Sequence, residues 1–167
     1  MACRAVLYAL ANADAEQLLN IRGDEALEEF VVENIGEHWD EEWLCDLDKS
    51  WDGIHRTLTD GELEWDNGEY PLNHAILGGR QLYEGDDYIF TFVSSDLVAD
   101  VAQAVNSISD DEFRERFFKI DPISCQRTWG DVDEENLEYV AGWFEELKPF
   151  YAKAAAAGRS VLFTVDQ

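Results

Sequence analysis

Apolar residues recur along this chain with two rhythms, one near 3.6 residues and one of 2, and the switches between them mark out its elements. Residues 4–10 are a short aliphatic run that reads as a buried strand. Asn12 or Asp14 then caps a helix with Leu18, Leu19 and Ile21, closed by Gly23. Asp24 opens a second helix, with Leu27, Phe30, Val31 and Ile35 at helical spacing. After an acidic lead-in, residues 46–59 carry a third helical pattern, and the residues up to Tyr70 read as an exposed loop or short hairpin around Asn67-Gly68. Pro71 suits the first position of a short helix. The β-branched and aromatic run 87–93 predicts a strand. Helices follow from residues 94–96 and, behind a capping box, from Ser109. A connection containing Trp129 then leads to a long helix over residues 132–157 that Pro149 should kink, and Ser160 to Val165 alternates as a final strand. The reading is a single α+β domain over residues 1–167, with a sheet of about three to five strands packed against several helices, among them the long, kinked C-terminal one.

The third helical pattern repays a wheel. At about 100° per residue, Leu47, Trp51, Ile54 and Leu58 share one narrow arc, the stripe of an amphipathic helix. Beside it come His55, Asp48, Thr59 and Asp52, while Lys49, Ser50, Gly53, Arg56 and Thr57 take the arc expected to face solvent. Asp48 is also a candidate N-cap. His55 thus sits at the border of core and water, with Asp52 three residues before it and Thr59 four after, both within reach on a helix. A histidine oriented by a carboxylate is the usual arrangement of a general base, and equally that of a structural histidine.

Charge narrows the function classes. Thirty-seven acids face twelve bases, a net charge of −25, and no Lys or Arg occurs between Arg22 and Lys49 or between Arg56 and Arg80. Such a surface repels nucleic-acid phosphate and anionic membrane, so direct binding to either is not expected, whereas a basic protein partner is. High acidity also serves solubility alone. Three cysteines with no short spacing fit buried thiols in a reducing compartment. Nothing resembles a signal peptide or a membrane span, so a soluble, cytoplasmic protein is expected.

The run Asp46-Leu47-Asp48-Lys49-Ser50-Trp51-Asp52-Gly53-Ile54-His55, followed by Leu58-Thr59, then Pro71-Leu72 and Ala75-Ile76-Leu77-Gly78-Gly79, resembles the YfbM-like family of uncharacterised bacterial proteins. The pattern from Tyr139 to Tyr151 with Gly158 and a closing strand is similar too, so the resemblance spans essentially the whole chain. One departure is Asp60, which intervenes where the family commonly runs Leu-Thr-Gly. The resemblance implies a compact α+β fold with no assigned reaction, cofactor or partner.

Two readings of function follow. One is a binding protein for a basic partner, inhibitor-like or immunity-like, with Trp39, Trp43 and Trp65 among acids as interface anchors. The other is an enzyme or small-ligand binder with a pocket beside the third helix. There His55 is the base, Asp52 or Asp48 orients it, and Arg80, Thr59, Trp51 and His74 contact the ligand. Arg80 is alternatively a counter-charge to Asp48 or Asp52. His55, Asp52 and His74 could form a three-ligand metal site only if the Pro71 segment folds over the helix; no metal or cofactor is expected. The pocket reading requires a cleft of a few hundred Å3 into which His55 and Arg80 both point.

Overall fold

Alternation of side chains along the strands gives the sheet two apolar faces, and helices cover both. The structure is a computed structural model that describes residues 3–125 and 130–166, so the connection through Trp129 lies outside them. The strands are β1 (Ala5–Leu10), β2 (Leu44–Asp48), β3 (Arg80–Gln81), β4 (Tyr88–Val93) and β5 (Ser160–Asp166). They form one antiparallel sheet in the order β2-β1-β5-β4-β3. The helices are α1 (Asn12–Asn20), α2 (Asp24–Glu29), α3 (Trp51–Leu58), α4 (Ser95–Ser107), α5 (Asp110–Phe117), α6 (Pro122–Cys125) and α7 (Glu134–Ala156). The fold is α+β.

Ala5, Leu7 and Ala9 of β1, Cys45 and Leu47 of β2, and Val161, Phe163 and Val165 of β5 point into the larger core, shared with α3, α4, α5 and α7. Leu10, Phe90, Phe92 and Leu162 point to the opposite face, where α1, α2 and the segment after α2 close a smaller core. That segment, Phe30–Gly36, is a π-helix, which keeps Val31 and Ile35 buried. Wider turns of this kind are rare over so many residues.

Several sequence signals are recovered at their own residues. Ser109 Oγ accepts from Glu112 N to open α5. Asp133 caps α7 by accepting from Asn136 N. The long C-terminal helix runs without interruption through Pro149. The Pro71 segment is a single 3-10 turn, Leu72–Ala75, pinned to α7 where Tyr151 Oη donates to Ala75 O at 2.8 Å.

The third helix needs correcting. Residues 44–48 are strand, paired with β1, and α3 begins only at Trp51. Leu47 satisfies both rhythms: it stands two residues from Cys45 on the core face of β2 and four before Trp51. Asp48 therefore lies on no flank of α3. It ends β2 with a positive φ of 48° and accepts a hydrogen bond from Tyr139 Oη at 2.6 Å. No described helix is long and apolar enough to cross a membrane.

Candidate functional site

Helix α3 is anchored at its start by its own turn. Ser50 Oγ donates to Leu47 O at 2.7 Å, and Trp51 Nε1 donates to Cys3 O at 3.0 Å. The Trp51 ring lies against Phe163, its centroid 5.9 Å away, and is buried. Trp51 is a core residue, not a ligand contact.

Of the arc expected to face solvent, only Lys49, which precedes the helix, is exposed. Every residue of α3 from Trp51 to Leu58 is buried, and so is Ser50. Polar side chains on the helix consequently find partners inside the protein, with His55 Nδ1 the exception among the described atoms. Thr57 Oγ1 donates to Gly53 O at 2.7 Å. Arg56, only 3% exposed, donates from Nε to Asp52 Oδ1 at 2.5 Å and from Nη1 to Gly61 O and Ser124 Oγ. Asp52 thus neutralises Arg56 and does not orient His55. The expected counter-charge, Arg80, stands exposed on β3 opposite Phe92, far from that role.

His55 is fully enclosed. Its Nε2 lies 2.7 Å from Glu64 O and 2.8 Å from Asn67 Oδ1. The orientation of Asn67 is settled by its other end, since Nδ2 faces Thr59 Oγ1, Asp60 Oδ1 and Glu62 O, all acceptors. Thr59 Oγ1 can only accept there, because its proton goes to His55 O at 2.7 Å. With two acceptors before it, Nε2 must carry the proton. The remaining ring nitrogen, Nδ1, is buried without a hydrogen-bond partner among the described residues. Burial holds the His55 pKa below its ordinary value, against the bonds to Asn67 and Glu64 and the charge of Asp52; Arg56 adds to the depression. The ring is neutral and donates from Nε2.

Asn67 is therefore the hub that straps residues 60–69 onto α3, and it is the residue that the wheel could not find. Its neighbour Gly68 takes φ 70°, and a Cβ there would meet the Thr59 side chain at 2.7 Å. The Asn-Gly turn pair was the visible trace of this contact.

The remaining candidates stay apart. His74 Nδ1 is 2.7 Å from Asn73 Oδ1, and Tyr70 packs edge-on against its ring. A cleft of about 440 Å3 does open beside the end of α3, between Arg56, Thr59 and Asp60 on one wall and Glu112 and Arg116 of α5 with Lys119 of the turn after it on the other. Neither His55 nor Arg80 lines it. Its three bases are already matched, Arg56 by Asp52, Arg116 by Glu112 and Lys119 by Glu115. No three His, Cys, Asp or Glu side chains among the described residues are grouped to hold a metal ion.

This arrangement can be set beside known proteins. A family model described as a domain of unknown function, DUF1877, matches residues 1–164. The chain belongs to this family. Among solved structures, YfbM from Escherichia coli, described as a protein of unknown function, superposes with a TM-score of 0.73 at 18% identity, over 97% of this chain and 99% of that one. At that identity the likeness shows the fold alone, so the DUF1877 architecture is shared while the side-chain cluster on α3 is argued from this chain. No curated protein matches.

Proposed function

We propose that this DUF1877 protein is a non-catalytic binding protein that engages a basic protein partner through the loop that follows α3. The observation that carries the reading is Trp65. It is 56% exposed at the middle of a loop bearing Asp60, Glu62, Glu64, Asp66 and Glu69, in a stretch without Lys or Arg from residue 57 to residue 79. Tyr70, also exposed, donates to Asp100 Oδ2 at 2.6 Å and extends the acidic surface onto α4. Aromatic side chains ringed by charge are the usual anchors of interfaces, and the charge steers an oppositely charged partner at long range.

The other two tryptophans do not compete for the role. Trp39 is half-buried with its ring edge-on to Tyr8, and Trp43 lies beneath Lys153 and Arg159, at 4.3 and 3.6 Å from its ring centre. The His55 cluster contributes by fixing the loop, which lowers the ordering cost of binding. The enzyme reading loses its base, since His55 is enclosed, committed at Nε2 and absent from the cleft.

The test is a pull-down from host lysate on the immobilised protein at about 50 mM and about 500 mM salt, with Trp65→Ala in parallel. Capture of a basic protein at low salt, weakened at high salt and by Trp65→Ala, is expected. Recovery of no basic protein, or equal recovery on Trp65→Ala, refutes the reading.

A further inference from the structure

The histidine that fixes the loop is also the one imidazole buried on α3. We propose that His55 is a proton-operated latch, and that protonation of its ring releases residues 61–70 from α3. Three observations carry this. The ring is enclosed, so a charge formed on it has no water. Both acceptors in reach, Glu64 O and Asn67 Oδ1, already share the Nε2 proton. A second proton must therefore go to Nδ1, which has no partner to receive it among the described residues. Both acceptors belong to the loop, so the movement that brings water to the ring is the one that lifts the loop away.

The charged groups around the ring do not remove this conflict. On its own helix Asp52 favours the charged ring and Arg56 opposes it, and the two are bonded to each other. From the loop, Asp60 meets Asn67 rather than the ring, and Glu64 presents its backbone. From α5 and the turn after it, Glu112, Glu115, Arg116 and Lys119 face the cleft beside Arg56 and Thr59. From α7, Tyr139 is held on Asp48. In the 3-10 turn after Pro71, the other histidine, His74, bonds to Asn73, whose Nδ2 donates to Asn67 O. His74 is thus the group to control for.

The direction of the effect follows from linkage. A histidine whose pKa is depressed in the closed form gives its full stabilisation above about pH 6.5, the value of a free imidazole, and loses it as pH falls below that. Glutamates titrate mainly below about pH 5, which leaves a window for His55 alone among the buried groups of α3. Between pH 7.5 and 5.5 the open-to-closed ratio of the loop rises about tenfold, provided the closed ring stays neutral throughout. If the loop is the docking surface proposed above, acidification releases the partner; that consequence rests on the earlier reading, and the latch does not.

The experiment uses the free protein. A glutamate-specific protease cuts after Glu62, Glu64 or Glu69, and the rate at each pH is divided by that on a free peptide of residues 59–71. The normalised rate is expected to rise about tenfold from pH 7.5 to 5.5 in the native protein and in His74→Gln. In His55→Gln, which keeps a donor but cannot titrate, it stays flat. A flat native profile, an equal rise in His55→Gln, or an equal rise at Glu138 and Glu145 of α7 overturns the latch. Should His55→Gln fail to fold, the ring signal of His55 decides: a midpoint at or above 6.5 overturns it, and one below 6.5 supports it. Because no partner is present, failure here is distinct from failure of the pull-down.

Discussion

Asn67→Ala should destabilise the protein by about 2 kcal/mol, more than the change of an exposed loop residue ordinarily does. Four contacts are lost in the structure, from His55 Nε2 and to Thr59 Oγ1, Asp60 Oδ1 and Glu62 O. The amide has only two hydrogens to share among three acceptors, so the equivalent of three hydrogen bonds is at stake. At about 1 kcal/mol each the sum is about 3 kcal/mol. Asp60 and Glu62 sit at the solvent side, where water replaces the lost donor, which brings the figure to about 2 kcal/mol. For a domain of this size that corresponds to a fall in Tm of about 4–8 °C. Urea melts followed by circular dichroism, with Thr59→Val, which removes the bonds to Asn67 and to His55 O, as the comparison, measure it. A loss under about 0.5 kcal/mol for Asn67→Ala would show that the strap is incidental, and the account of α3 given above would fall with it.

Three further outcomes are expected. Gly68→Ala combines a positive φ with a 2.7 Å clash on Thr59, and should lower the urea midpoint clearly while Gly142→Ala, where an added Cβ meets nothing within 4 Å, should not. Arg56→Met removes one side of a buried ion pair, a change that costs up to about 3–5 kcal/mol; a loss below about 1 kcal/mol in the same melts would contradict the pairing. Cys45, its thiol pushed up to about 12 by burial with Glu146 and Asp46 adding to the shift, should resist iodoacetamide at pH 8 until the chain is unfolded, as mass spectrometry of timed samples can establish.

What the sequence disclosed, and what it hid, can be traced to particular residues. The strands β1, β4 and β5 and the helices α4, α5 and α7 were legible because each carries a sustained period and its own stop signals. The β2–α3 junction was not, since Leu47 fits both periods and the wheel absorbed it. Two-residue β3 has no period to detect. Arg56 and Thr57 read as surface because they are polar; their burial depends on the loop around Asn67 and on Ser124 of α6, contacts that no local pattern encodes. His55 stands out on the wheel, but its partners could not be read from it, because they lie nine and twelve residues away on the loop and not on its own helix.

The position of β5 in the sheet has a consequence for biosynthesis. It is the last strand in chain order, yet it lies between β1 and β4, with Ala5 opposite Val165. Until it emerges from the ribosome the sheet exists only as two separate halves, and the inner edges of both are exposed to pairing with other chains. At elongation rates of about 5–20 residues per second, β1 waits roughly 8–30 s for its partner. The sheet can be completed only after the whole stretch from β1 to β5 has been made, and through contacts of long range, which are the slowest to form. Chaperone dependence should therefore track the stretch between β1 and β5 rather than the stability of the finished fold.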